Sequence, residues 1–284
     1  MIFFRKLSLF FIYSNLFIAF CAVLMVYQTY QLVLRTNPDI YFTAFVFFAT
    51  ICSYSFHWYL TPADIELTSS RSQWLSRNKK VHLVLFFTGL AGTAFTSLFL
   101  LHHWYWLLLS GFITFLYSAP KIPHPYFRVL RKVALAKTVF LAFVWMYVTT
   151  ILPVQISDQP WQQNFSVFAL SRFFLIYAIC ILFDYRDREY DKEIGIRSLI
   201  TWLSEKNITR LFILSLSLFT VFSCLLTLYG FSYTTIGLLL IPGAITAGLY
   251  RYAKRDFSDV LYYFVLDGLM ALSSLLTLLL VRNI

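Results

Sequence analysis

The chain has 284 residues, of which 60% are hydrophobic, 20% aromatic and only 13% charged, and its mean hydropathy is +0.71. Charged residues normally make up about 25% of a soluble domain, so this composition excludes one and indicates a polytopic membrane protein. In a soluble protein the formal net charge of +10 would favour a nucleic-acid partner. Here no nucleic acid is expected, because basic residues at the cytoplasmic ends of membrane helices account for the charge.

Apolar segments long enough to cross a bilayer, which takes about 20 residues, follow one another along the chain. The first uncharged run, residues 7–34, is too long for a signal peptide and is expected to be an uncleaved helix. Residues 81–120 and 211–250 each lack Asp, Glu, Lys and Arg. As helices they would be about 60 Å long, twice a bilayer core, so each must fold back once, at His102–His103 and at Gly230–Ser232. The predicted spans are 8–30, 42–60, 82–101, 104–119, 133–152, 164–183, 211–230, 233–250 and 260–281.

These segments predict an all-α, polytopic membrane protein with nine transmembrane helices in a single domain, residues 1–284. The basic residues predict its orientation. With a cytoplasmic N-terminus, twenty Lys and Arg fall in the inner segments, and only Arg35 and Arg282 fall outside. This asymmetry favours a multi-pass protein whose N-terminus and most charged loops are cytoplasmic.

Residues 184–198, DYRDREYDKEIGIRS, concentrate charge within this apolar chain. Asp184, Asp187 and Asp191 are spaced i, i+3, i+7, and on an α-helix they fall within about 60° of one another. Three carboxylates on one face repel each other unless a cation joins them. One interpretation is a solvated cytoplasmic loop whose charges pair among themselves. The other is a site for Mg²⁺, a hard cation that prefers carboxylate, phosphate and water oxygens.

The extended pattern D-x-x-D-x-x-x-D-x-x-x-G-x-x-S resembles the second aspartate-rich motif of the UbiA superfamily of intramembrane prenyltransferases. Its D-x-x-x-D core falls on Asp187 and Asp191. An earlier stretch, LYSAPKIP, is similar to the family's Y-x-x-x-K pattern, with Tyr117 and Lys121 at the matching positions. The fifth predicted helix ends in TTILP, which is also similar. Together with the number of helices, the resemblance extends over nearly the whole chain.

The resemblance implies a membrane prenyltransferase that moves a prenyl group from a prenyl diphosphate to a small acceptor, aromatic or lipid. The acceptor would lie in a central cavity between the helices, open to the cytoplasmic side and surrounded by membrane lipid. The resemblance also implies that Asp187 and Asp191 are catalytic Mg²⁺ ligands, with Asp184 as a further metal ligand. Lys121 would contact the phosphate as a point charge, and Tyr117 would orient it or the leaving oxygen.

The family's first aspartate-rich motif should end the second helix, where this chain reads SYSFHWYLTPADIE. Ser55 lies near the expected Asn, and aromatic residues with His57 replace the aspartates. Asp64 and Glu66 follow out of register. We therefore expect one Mg²⁺ ion to be held firmly, whereas a second would depend on Asp64 or Glu66. Alternatively, His57 is a substrate-binding residue that contacts a diphosphate oxygen directly.

Two ionisable residues, Arg172 and Asp267, fall inside predicted spans, where charge is costly. Their predicted depths nearly agree. Either they form a buried ion pair that fixes helix packing, or they line the cavity as substrate-binding residues.

Two other functions compete with prenyl transfer. The altered first motif favours a catalytically degenerate relative that binds an isoprenoid or a partner protein without turnover. The charges within the membrane would also suit a transporter, although no other feature of the sequence indicates one.

Overall fold

The computed structural model describes residues 2–61, 70–122, 124, 137–193 and 198–281, and within these ranges it is helical, without a β-strand. The predicted all-α membrane fold is confirmed. Eight described segments are long and apolar enough to cross a membrane. They are Leu16–Leu34, Ile40–Tyr59, Lys79–Lys121, Lys137–Ile156, Gln163–Glu193, Glu205–Tyr229, Tyr233–Ala253 and Leu261–Leu280.

In chain order, the α-helices of the described residues are α1 (Ile2–Tyr13), α2 (Leu16–Thr29), α3 (Ile40–Tyr59), α4 (Ser70–Arg77), α5 (Lys79–Ser97), α6 (Trp104–Ser118), α7 (Lys137–Met146), α8 (Leu152–Ile156), α9 (Gln163–Glu193), α10 (Leu199–Trp202), α11 (Glu205–Leu225), α12 (Tyr233–Ala253) and α13 (Asp267–Leu280). π-helical turns extend three of the membrane segments, at Tyr30–Leu34, Tyr147–Ile151 and Leu261–Leu266.

The longest apolar segment, Lys79–Lys121, contains two helices that run in opposite directions. Phe99, just after α5, stacks on Tyr41 at the start of α3, with ring centroids 4.1 Å apart. Ser118 Oγ, at the end of α6, lies 3.3 Å from Nδ1 of His57 near the other end of α3. This segment therefore crosses the bundle twice, which accounts for the difference between the nine predicted helices and the eight apolar segments.

Both predicted turns within the long apolar runs are confirmed. Between α5 and α6 the chain forms a 3₁₀ stretch, Leu98–His103, in which Leu100 leaves the helical conformation. Between α11 and α12, Gly230 has a φ of 81°, a left-handed conformation that glycine adopts without steric cost. Ser232 then caps α12 by accepting a hydrogen bond from the backbone N–H of Thr235.

The expectation of one continuous first helix over residues 8–30 is wrong. α1 ends at Tyr13 and α2 begins at Leu16, because Asn15 between them adopts a left-handed conformation with a φ of 66°. Asparagine tolerates this conformation better than most residues. The buried Asn15 side chain contacts two distant segments, so the break at this position serves the tertiary structure.

The longest helix, α9, occupies the middle of the bundle. It packs against α7, α11, α12 and α13, and its apolar part is largely buried. The helix does not stop at the predicted boundary, residue 183, but continues through the charged segment to Glu193. The three aspartates therefore project from a rigid helix that is held by the core, and not from a loop.

Candidate functional site

Asp184, Asp187 and Asp191 lie on the last turns of α9, where their spacing places them on one face of the helix. Asp184 and Asp191 are only 6% and 4% exposed, whereas the side chain of Asp187 is 39% exposed. Burying a carboxylate is costly unless a cation or hydrogen-bond donors compensate it. Each of the two buried aspartates therefore requires a partner from another part of the fold.

That partner is Lys137, the first described residue of α7. Its Nζ atom lies 4.0 Å from Oδ1 of Asp184 and 3.9 Å from Oδ2 of Asp191. Thr138, the next residue, donates a short hydrogen bond to Oδ2 of Asp184. Sequence reasoning placed Lys137 only among the basic cytoplasmic residues.

Asp187 has a different partner. Arg186 Nε lies 2.8 Å from Oδ1 of Asp187, and the same guanidinium donates a 2.9 Å hydrogen bond to the hydroxyl of Tyr263. The guanidinium also lies 4.7 Å from the ring centroid of Tyr262 and 4.9 Å from that of Tyr263. The Arg186 guanidinium is thus held in place by two tyrosines of the segment before α13. Part of the Asp187 carboxylate remains exposed.

Lys121 follows α6 in a 3₁₀ turn, Ala119–Lys121, because Pro120 does not allow the α-helix to continue. Its Nζ atom donates a 2.6 Å hydrogen bond to Oγ1 of Thr61 and lies 5.5 Å from the centroid of the Trp58 ring. The ammonium group is within electrostatic range of Lys137, Asp187 and Asp191. The structure therefore places Lys121 at the same end of the bundle as the aspartates.

Tyr117 and His57 form one unit beside Lys121. Their rings stack with centroids 5.1 Å apart and planes 17° from parallel. His57 Nδ1 shares a hydrogen bond with Ser118 Oγ, which orients the imidazole without a carboxylate. Both rings lie between the end of α3 and the end of α6, next to the cations, so the arrangement suits contact with an anion bound at this end.

The position predicted for the first aspartate-rich motif holds a neutral network and an arginine. Ser55 is fully buried and accepts a 3.5 Å hydrogen bond from Nδ2 of Asn15, whose Oδ1 accepts a 2.8 Å hydrogen bond from Arg71. The Arg71 guanidinium lies 4.3 Å and 3.9 Å from the ring centroids of Trp58 and Tyr263. Asp64 and Glu66, the alternative ligands for a second ion, lie outside the described residues.

Arg71 is the second functional candidate that sequence reasoning missed. It belongs to the short helix α4 and is 4% exposed, and its backbone N–H donates a 2.7 Å hydrogen bond to Asp259. Burial lowers the pKa of the guanidinium, while Tyr263, Asp267 and Asp259 oppose that shift. An arginine nevertheless stays protonated in proteins, so Arg71 adds a fixed positive charge to the site.

Asp259 also accepts a hydrogen bond from the hydroxyl of Tyr13, at 3.5 Å. Burial and the nearby Asp259 raise the pKa of Tyr13 to about 12, so the phenol stays protonated and continues to donate this hydrogen bond at neutral pH. Asp259 thereby joins the end of α1 to the start of α4, and these contacts hold Arg71 in place.

Arg172 lies apart from this cluster. It precedes Asp184 by 12 residues on α9, about 18 Å along the helix axis. Its donors bond to neutral acceptors on two helical segments, α2 and the π-helical turn Tyr147–Ile151, namely Gln28 Oε1, Thr29 Oγ1, Thr149 O and Thr150 Oγ1. The alternative of an Arg172–Asp267 ion pair is wrong, because no ion pair joins these two described residues.

Asp267 begins α13, directly after the π-helical turn Leu261–Leu266. Its carboxylate is half-buried, and the charged groups that act on it most strongly are Arg71 and Arg186. It also lies within electrostatic range of Tyr54 on α3 and of Cys180 on α9. Asp267 is therefore a carboxylate between the helices, on the core side of the cation cluster.

The predicted magnesium ligands fit the ion chemically, but they do not converge in the described structure. Among the described residues, no group of three His, Cys, Asp or Glu side chains is arranged to hold a metal. Asp187 points to Arg186, and Asp184 and Asp191 flank Lys137. Oδ2 of Asp191 is buried and has no hydrogen-bond partner in the part of the chain that the structure describes, since 3.9 Å from Nζ is too long for one. That oxygen is available to a ligand.

The fold and the site define an all-helical membrane protein in which aspartates and fixed cations meet at one end of the helix bundle. The sequence model of the UbiA prenyltransferase family matches residues 72–275, most of the chain. The chain therefore belongs to the UbiA prenyltransferase family, and the predicted resemblance is confirmed. None of the curated proteins compared with the chain matches it.

A solved structure described as the apo structure of a UbiA homolog from Aeropyrum pernix K1 has a similar fold. It shares 13% sequence identity with this chain, and the alignment covers 94% of this chain and 97% of that one, with a TM-score of 0.60. At this identity the similarity concerns the fold alone. Since the alignment covers 94% of this chain, the similarity extends beyond residues 72–275, which the family model matches.

Proposed function

We propose that this protein transfers a prenyl group from a prenyl diphosphate to a small aromatic or lipid acceptor within the membrane. The observation that carries the proposal is the meeting of Lys121, Lys137 and the aspartates of α9 at one end of the bundle. A departing diphosphate develops negative charge, and fixed cations aimed at that charge stabilise its departure. Membership of a family of membrane prenyltransferases supports the same class of reaction.

In the proposed reaction, the bond between C1 of the prenyl group and the diphosphate oxygen breaks, and its electron pair leaves with the diphosphate. The allylic carbocation that remains bonds to a nucleophilic atom of the acceptor, which loses a proton. Lys121 has donors left beyond its hydrogen bond to Thr61, and these would bind the diphosphate oxygens. Tyr117, oriented by His57, would donate to the leaving oxygen.

Magnesium, when bound, supplies further positive charge to the departing diphosphate. Asp187 and Asp191 would hold the ion, with a smaller contribution from Asp184, whose Oδ2 is already bonded to Thr138. One firmly held ion is expected, because α3 ends in Ser55, His57 and aromatic residues.

Asp267 is the group that we assign to the acceptor. Its carboxylate lies between the helices, half-buried and on the core side of the cations, where it would accept a hydrogen bond from an acceptor hydroxyl or amine. It would also receive the proton that the acceptor releases. Arg172 has no part in this proposal, because its hydrogen bonds are made to the surrounding helices.

Binding of an isoprenoid without turnover is the second candidate. It is favoured by the absence of carboxylates at the end of α3 and by the pairing of Asp184 and Asp191 with Lys137. The two candidates differ in whether the C1–O bond is broken.

The deciding experiment incubates the purified protein in lipid vesicles with radiolabelled geranyl, farnesyl or geranylgeranyl diphosphate and a lipid extract, with and without Mg²⁺. Prenyl transfer predicts a labelled lipid-soluble product and stoichiometric release of pyrophosphate, both lost in Lys121→Met. Saturable retention of the label without product would instead establish the binding function. A chain that neither retains nor converts any of the three diphosphates would refute both candidates.

A further inference from the structure

The two buried carboxylates of α9 already have a cation between them. Lys137 Nζ is almost equidistant from Asp184 Oδ1 and Asp191 Oδ2, at 4.0 Å and 3.9 Å. Both distances exceed those of a hydrogen bond, so the ammonium offsets part of the charge of the two carboxylates without being hydrogen-bonded to either. Lys137 itself is about one-third exposed, whereas both aspartates are buried. The ammonium is therefore more accessible to a bound anion than either carboxylate is.

We propose that Lys137 is an internal counter-ion that excludes a divalent metal from Asp184 and Asp191 until a diphosphate withdraws it. This inference deepens the proposed function, because it defines the order in which metal and diphosphate bind at the same site. Metal binding would then depend on the substrate, and the protein without diphosphate would hold no tightly bound ion at these aspartates.

The exclusion follows from distance. A magnesium ion on these carboxylates would lie about 2 Å from each oxygen, and hence within a few ångströms of an ammonium group that remained in place. At such a separation the repulsion between two cations is large in a partly buried site. Ion and ammonium therefore compete for the same carboxylates, and one must leave before the other binds.

The neighbouring groups indicate where the Lys137 ammonium moves and which oxygen atom then becomes a ligand of the metal ion. Lys121 lies within electrostatic range of Lys137, so an anion bound by Lys121 attracts both ammonium groups. The long side chain of lysine reorients readily, and moving it breaks no hydrogen bond in the described structure. Oδ2 of Asp191, buried and without a hydrogen-bond donor, is then free to ligate the incoming ion.

The test measures metal binding directly, with Mn²⁺ as the substitute for Mg²⁺ because both prefer octahedral oxygen ligands. Detergent-solubilised protein is titrated with Mn²⁺ alone and with Mn²⁺ plus inorganic pyrophosphate, and the ion retained with the protein is measured after ultrafiltration. We expect the parent protein to bind Mn²⁺ at least about tenfold more tightly when pyrophosphate is present. In Lys137→Met we expect at least about tenfold tighter binding of Mn²⁺ alone than in the parent, since one nearby positive charge is removed.

Lys192→Met is the matched control. It removes one lysine from the same end of the bundle, but Lys192 pairs with the exposed Glu189, so its loss should leave the affinity for Mn²⁺ unchanged. Adding Asp191→Asn to Lys137→Met should abolish the gained site. Lys137→Gln serves as the second neutral variant if Lys137→Met does not fold, as judged by thermal unfolding.

Equal affinity of the parent and a folded Lys137 variant for Mn²⁺ alone would overturn the proposal. So would a parent protein that binds the ion equally well with and without pyrophosphate. Neither measurement depends on turnover, so failure of the prenyl-transfer assay remains a separate result.

Discussion

At the scale of single residues, the three aspartates of α9 differ in how readily they can exchange partners. Asp184 is held by the Thr138 hydroxyl as well as by Lys137, so its orientation is fixed by α7. Among the described residues, Asp191 forms its ion pair with the ammonium of Lys137, 3.9 Å away, and Asp187 is partly exposed beside Arg186. A bound metal ion can therefore replace the present partners of Asp187 and Asp191 at lower cost than those of Asp184.

This difference predicts the effect of removing each charge. Asp187→Asn and Asp191→Asn should each weaken Mg²⁺-dependent binding of a prenyl diphosphate by more than about tenfold, because a neutral amide is a poor magnesium ligand. Asp184→Asn should weaken it less. Equilibrium dialysis of a labelled prenyl diphosphate, with and without Mg²⁺, measures these effects. Asp256→Asn removes a carboxylate after α12 that is hydrogen-bonded to Tyr252, and it is the control. Undiminished binding in both Asp187→Asn and Asp191→Asn would contradict the metal assignment.

The residues that sequence reasoning found and those that it missed differ for a physical reason. The aspartates were identifiable because one helix displays them at regular spacing, and Lys121 because it lies four residues from Tyr117. Lys137 and Arg71 were not identifiable, because their partners lie on helices far away in sequence. A pattern within one segment describes a helix face, but it does not specify which cation packs against that face.

At the scale of the helices, the length of the apolar runs predicts where the chain crosses the membrane, and the structure follows it closely. The exceptions are made by tertiary contacts. The first helix breaks because Asn15 bonds to Ser55 and Arg71. Helix α9 continues beyond its apolar residues because its charged turns pack against α7.

Close packing of α3 and α5 depends on small residues. On α5, Gly89 lies against the α3 backbone, where a Cβ atom would approach the backbone nitrogen of Cys52 to 2.7 Å.

Gly89→Ala should therefore destabilise the protein. The added methyl group would force α5 and α3 apart, at a cost of about 1–3 kcal/mol as in other overpacked contacts. Gly111→Ala is the matched control, because a Cβ atom there would meet nothing within 4 Å. In that helix the same substitution should be neutral or stabilising by up to about 1 kcal/mol. Thermal unfolding in detergent compares the two variants, and equal midpoints would show that α3 and α5 do not pack this closely.

At the scale of the whole molecule, the described charges are unevenly divided between the two ends of the bundle. The aspartates, Lys121, Lys137 and Arg71 lie at one end, together with the Glu205 cluster. The loop between α8 and α9, at the other end, contributes Asp158, which lies 3.6 Å from His103. Membrane proteins retain their basic segments in the cytoplasm, so the candidate site is expected to face the cytoplasm.

Cysteine labelling in intact cells tests that orientation. The four native cysteines, all without a disulfide in the structure, are first replaced by alanine. Lys206→Cys and Gln162→Cys then place one thiol at an exposed position at each end of the bundle. A membrane-impermeant maleimide should label Gln162→Cys in intact cells and should label Lys206→Cys only after the membrane is opened. The reverse pattern would place the candidate site outside the cell, where the excess of basic residues is not expected, and would contradict a cytoplasmic site for the diphosphate.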